Sequence, residues 1–109
     1  MATFNKMKIE NMGKIKFHSV NAFHFNDFSE HYGYFQHEEN AMKAALKAVE
    51  NIQKKIDKMR ELETKSGLNS GMYSEDIVRD LDPNINPDNF KIWRGSEYEV
   101  QIHSVEIED

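Results

Sequence analysis

Residues 38–66 limit the folding choices of this chain more than any other stretch. Met42, Ala45, Val49, Ile52, Ile56 and Met59 recur at alternating intervals of three and four residues. That spacing puts them on one face of an α-helix, and Leu46 and Leu62 widen the stripe. Glu38 and Glu39 open the segment and Lys65 closes it, both favourable for the helix dipole. Gly67 followed by Leu68 reads as a left-handed cap with its hydrophobic contact. Glu50 and Lys54 form an i,i+4 pair in the favourable order. Such a helix is about 42 Å long. A compact domain of this size has a radius of gyration of about 13 Å. The helix must protrude, cross the whole domain or pack against a second copy. A homo-oligomer is expected, with Met42, Ala45, Val49, Ile52, Ile56 and Met59 as its interface.

Alternation of period two marks strands on either side. Residues 4–10 place Met7 and Ile9 opposite Lys6, Lys8 and Glu10. Residues 14–20 place Ile15 and Phe17 opposite Lys14, Lys16 and His18. Asn11-Met12-Gly13 supplies the turn of a first hairpin. Residues 20–35 are aromatic and irregular, and read as core folding back over helix and sheet. Ser74 is a suitable N-cap for a short helix over 75–81, ended by Asp82-Pro83. Residues 89–94 and 97–103 form a second hairpin around Arg94-Gly95-Ser96. Its apolar face would be Phe90, Ile92, Tyr98, Val100 and Ile102. Val105 and Ile107 fall in the opposite register, which predicts a bulge or a tail meeting a different surface. Trp93 lies opposite Phe90 and Ile92, where that tail would cover it.

Lysines on the first hairpin and acids on the last strand suit neighbouring strands. The expected fold is α+β: an antiparallel sheet from N- and C-terminal hairpins packed on one long α-helix, plus one short helix. Residues 1–109 form a single domain.

The chain is acidic, with net charge −5, which speaks against general binding of nucleic acid. It has no cysteine, so disulfide scaffolds, thiol catalysis and zinc ribbons are excluded. No apolar run approaches the roughly 20 residues of a membrane span, and the first residues lack a signal-peptide core. A cytoplasmic protein is expected. Its content of lysine, asparagine, isoleucine and glutamate is of the kind seen in small accessory proteins, phage ones among them.

Five histidines, His18, His24, His31, His37 and His103, lie near Glu30, Glu38 and Glu39, but no spacing matches a metal signature. The run Asp80-x-Asp82-x-Asn84-x-Asn86-x-Asp88 resembles the start of an EF-hand loop. Ile85 then stands where glycine is needed and Lys91 where glutamate is needed. A connector stiffened by proline and Asx turns is expected there. There is no nucleophile elbow, phosphate-binding glycine loop or dinucleotide fingerprint. No catalytic residue, metal or cofactor is assigned.

The expected function is non-enzymatic: binding, and modulating or inhibiting, another macromolecule. The acidic last strand would carry a protein partner, through Glu97, Glu99, Glu106, Glu108 and Trp93. The alternative is a binder of a nucleotide-like or other anionic metabolite. Its pocket would lie between protomers, lined by His24, His31, His37, Tyr32, Arg79 and Arg94.

Overall fold

The computed structural model of the protein describes residues 15–25 and 28–107. The chain runs β1 (Ile15–His24), β2 (Phe28–Phe35), α1 (Glu38–Ser66), β3 (Val78–Arg79), β4 (Phe90–Gly95) and β5 (Tyr98–Ile107). The strands form one antiparallel sheet in the order β2-β1-β5-β4-β3. Helix α1 lies across β1, β5 and β2, so the fold is α+β. Within the described residues no helix is long and apolar enough to cross a membrane.

Helix α1 begins and ends where its local signals put it. Gly67 adopts φ 71° and its N–H donates to Thr64 O, while the Leu68 N–H reaches Glu63 O at 2.9 Å. Those bonds satisfy carbonyls that the last turn leaves open. Glu50 and Lys54 pair at 3.2 Å. The face that meets the sheet is rich in alanine: Ala41, Ala45 and Ala48, then Ile52 and Ile56, are all buried. They form one core with Val20, Ala22, Val100, Ile102, Trp93 and Tyr98. Small residues on both sides let the helix sit close to the strands.

Several details of the strands differ from expectation. The stretch 4–10, and with it the first half of the expected N-terminal hairpin, lies outside the described residues. Within them, β1 forms its hairpin with β2, in the stretch read as irregular core. A register shift between Val20 and Asn21 leaves Tyr32 as the extra residue of a bulge, beside Gly33 at φ 125°. That bulge hides the alternation of β2. Phe35 packs on the core, whereas Phe25, Tyr32 and Tyr34 are exposed.

The facing of β1 is the reverse of that expected. His18, Val20 and Ala22 are buried beneath the helix, and Ile15 and Phe17 point to the other face. In β4 the facing is also reversed. Phe90 pairs with His103 and Ile92 with Gln101 on the outer face. Trp93 pairs with Val100 on the helix side, only 5% exposed, with the Arg79 guanidinium 5.0 Å over its ring. The tail does not cover it. Strand β5 keeps unbroken register with β1 through Ile107, so Val105 and Ile107 belong to the outer face without any bulge in that pair. Lys16 stands opposite Glu106, as the charge pattern requires.

The short helix over 75–81 does not form. Residues 74–77 form no regular element and lead into β3. Long-range bonds outcompete the local N-cap: Gln53 Oε1 accepts from the Ile77 N–H at 3.0 Å, and Gln53 Nε2 donates to Asp76 at 2.9 Å. Arg60 donates to Tyr73 O and pairs with Asp76 at 2.7 Å. That guanidinium holds the Asp76 carboxyl below its usual range. Ser96 Oγ bridges the Glu75 backbone, and Ser74 Oγ turns back to Gly71 O. The β4–β5 hairpin turns through Ser96 and Glu97, both at positive φ, the twist a two-residue hairpin loop demands.

Candidate functional site: an apolar groove on the sheet face opposite the helix

One face of the sheet is covered by α1. On the opposite face, at the end where β1 begins and β5 finishes, lies an open groove of about 490 Å³. Its lining comes from three adjacent strands: Phe17 and Ser19 of β1, Tyr34 of β2, and His103, Val105 and Ile107 of β5. Antiparallel pairing sets Phe17 opposite Val105 and Ser19 opposite both Tyr34 and His103. The aromatic and aliphatic members are partly exposed, Tyr34 at 74% and Ile107 at 49%. The His103 ring lies flat on Phe90, centroids 4.4 Å apart, which fixes the wall of the groove. Among the described residues no charged side chain lines it.

Polar groups border the groove in a directed chain. Asn21 Nδ2 donates to Ser19 Oγ at 2.9 Å, and Asn21 Oδ1 sits 2.8 Å from His31 Nδ1. An amide oxygen only accepts, so His31 carries its proton on Nδ1 in this pair. His31 also leans on Tyr34, ring centroids 4.5 Å apart.

No family model, curated protein or solved structure matches this chain. The site is therefore read from its own chemistry.

The acids expected to meet a partner are dispersed. Glu97 is half-buried in the β4–β5 turn. Glu99 is buried on the outer face, accepting from Arg94 Nε at 2.6 Å and from Gln101. That bond raises the Arg94 pKa, and Arg94 also reaches Asp80 at 2.8 Å. Glu106 is exposed on the helix-side row, and Glu108 lies outside the described residues. Trp93 is in the core.

The histidines and arginines expected around an anion occupy both sheet faces and the helix N-terminus. His24 stacks on Tyr98 at 4.4 Å. His31 and Tyr32 lie on β2. The Tyr32 hydroxyl donates to Glu30 at 2.7 Å, and burial followed by this bond pushes its pKa up to about 12. His37 is the helix N-cap residue, and its side chain makes no capping bond. Arg79 covers Trp93, and Arg94 is held by two carboxylates. Of the expected oligomer interface, Ala45, Ile52 and Ile56 are buried against this chain's own sheet. Met42 and Val49 pack beside them and Met59 is half-buried.

Among the described residues no group of three or more histidine or acidic side chains is placed to hold a metal ion. The Asp80–Asp88 run turns its oxygens to its own backbone. Asp80, Asp82 and Asn86 accept from the N–H two residues on, at 2.9 to 3.0 Å. His18 and Ser104 make a 2.6 Å bond, but both are buried beneath the helix, out of reach of a substrate. Sequence reasoning missed the groove as a site. The change of apolar phase at Val105 and Ile107 was the signal that pointed to it.

Proposed function

We propose that this chain is a non-enzymatic ligand-binding protein whose site is the groove on the sheet face opposite the helix. The observation that carries this reading is a ligand-sized concavity lined by aromatic and aliphatic side chains with few polar groups, the usual make-up of small-molecule sites. An anionic ligand does not suit it, because the arginines that would balance the charge are engaged elsewhere. Native mass spectrometry of the protein taken from its host tests the reading. An apolar molecule retained at one per chain is expected, and Val105→Asp should release it. Protein that carries no such molecule, and takes up none when offered apolar compounds, would defeat the reading.

A second reading keeps the expectation of a homo-oligomeric protein that binds and modulates another macromolecule in the cytoplasm. It is favoured by the exposed Leu62, Leu68 and Met72 around the C-terminal end of α1, beyond the part that the sheet covers. Light scattering of the wild type and of Leu62→Glu tests it.

A further inference from the structure

We infer that the groove selects an uncharged, largely apolar small molecule bearing a hydrogen-bond-accepting oxygen, such as an alkyl or aryl carbonyl compound, and that Ser19 is the donor it meets. This inference rests on the ligand-binding reading above and names its ligand class. The direction of the polar chain decides it. His31 Nδ1–H donates to Asn21 Oδ1, and Asn21 Nδ2–H donates to Ser19 Oγ. The Ser19 oxygen is thereby occupied as an acceptor, and its own hydrogen is left to donate. Ser19 lines the groove between Phe17, Tyr34 and Val105, so that hydrogen is offered to whatever sits there. A ligand oxygen satisfies it. A ligand presenting only donors would leave it unmatched, which is costly in a desolvated site.

The remaining lining sets the rest of the ligand. The described wall holds no lysine, arginine or carboxylate, so an ion there would lose its hydration and find no counter-charge among these residues. The size argues for a small molecule over a protein surface. A stable protein interface engages roughly 20–30 residues and about 800 Å² on each side, whereas six of the described residues line this groove.

The full-length protein is titrated with two fluorescent probes: Nile red, a neutral dye with a ring carbonyl, and diphenylhexatriene, a hydrocarbon without oxygen. Both should bind the wild type saturably at one per chain, and Val105→Asp should abolish both. Ser19→Ala should weaken Nile red about threefold to tenfold and leave diphenylhexatriene unchanged. Asn21→Asp keeps the serine but turns its hydroxyl toward the new carboxylate, and should cause the same selective loss. Equal effects on the two probes, or none, would overturn the inference while leaving the groove as a ligand site. Failure of the wild type to bind either probe would overturn the ligand-binding reading itself. A dimer that Val105→Asp converts to monomer, with no probe bound, would assign the groove to a second copy and defeat both.

Discussion

His18 shows how a single side chain ties stability to pH. It is only 4% exposed, on the helix side of β1, bonded through Nδ1 to Ser104. Burial lowers its pKa from the ordinary 6.5, outweighing the nearby Glu38 carboxylate, with Lys16 and Lys91 adding to the depression. The unfolded chain takes up this proton below pH 6.5 and the folded chain resists it, so the unfolded state binds more protons there. Stability therefore falls as pH drops below that value. Urea denaturation from pH 7.5 to 5.5 should show this decline, and His18→Gln should flatten it. Glu38 adds a separate, lower window. The hydrogen bond from Lys91 depresses its pKa below 4.5, so its contribution is lost only as pH falls beneath that range. Gly95 makes a second prediction at this scale. A Cβ there would lie 2.2 Å from the Asp76 carbonyl oxygen, backbone that cannot swing aside. Gly95→Ala should cost about 1–3 kcal/mol in a thermal or urea melt.

The elements differ in how much of their cause is local, and that decides what could be read from the sequence. Helix α1 was legible to its ends because its stripe, its charged termini and its glycine cap all act within one or two turns. Strands β4 and β5 were legible as strands, but their turn falls at Ser96 and Glu97 and not around Gly95, and β4 faces the other way. Strand β2 was not, because a bulge at Tyr32 and Gly33 breaks its alternation. The facing of β1 was misjudged because the larger side chains, Ile15 and Phe17, look like core. Beneath the alanine-rich helix β1 contributes Val20 and Ala22, and the bulk of the core comes instead from Trp93, Tyr98 and Ile102. The groove needed the register of β5 against the distant β1–β2 hairpin, so only Val105 and Ile107, out of phase with Ile102, hinted at it. The stretch 74–77 is held by tertiary bonds against its own helical signals. Removing one of them gives a test. Gln53→Ala leaves the Ile77 N–H without its partner and should cost about 1–3 kcal/mol. Hydrogen exchange should show residues 73–77 losing protection, while the helix amides over 41–56 keep theirs.

For the whole molecule, the central matter is how the two ends of α1 divide their labour. From Ala41 to Ile56 the apolar stripe, the exposed Leu46 apart, is consumed by the chain's own sheet. Beyond Ile56 the helix carries Arg60, which fastens the returning loop through Tyr73 and Asp76, and then the exposed Leu62. A long helix that must cover a sheet and also hold a loop needs no second chain to account for its length. Self-association through the helix would have to use its exposed C-terminal end. Ile56→Ala should then act on the fold alone, lowering the unfolding free energy by about 2–5 kcal/mol while light scattering gives an unchanged mass. Leu62→Glu should do the opposite, leaving the urea midpoint nearly unchanged and reducing any dimer or larger species to monomer. If Ile56→Ala instead dissociates an oligomer without destabilising the chain, the stripe faces a second copy and its packing on the sheet is wrong. If the wild type is a monomer even at high concentration, the exposed leucine is an isolated surface residue and the oligomeric reading falls, while the groove on the far face of the sheet stands independently.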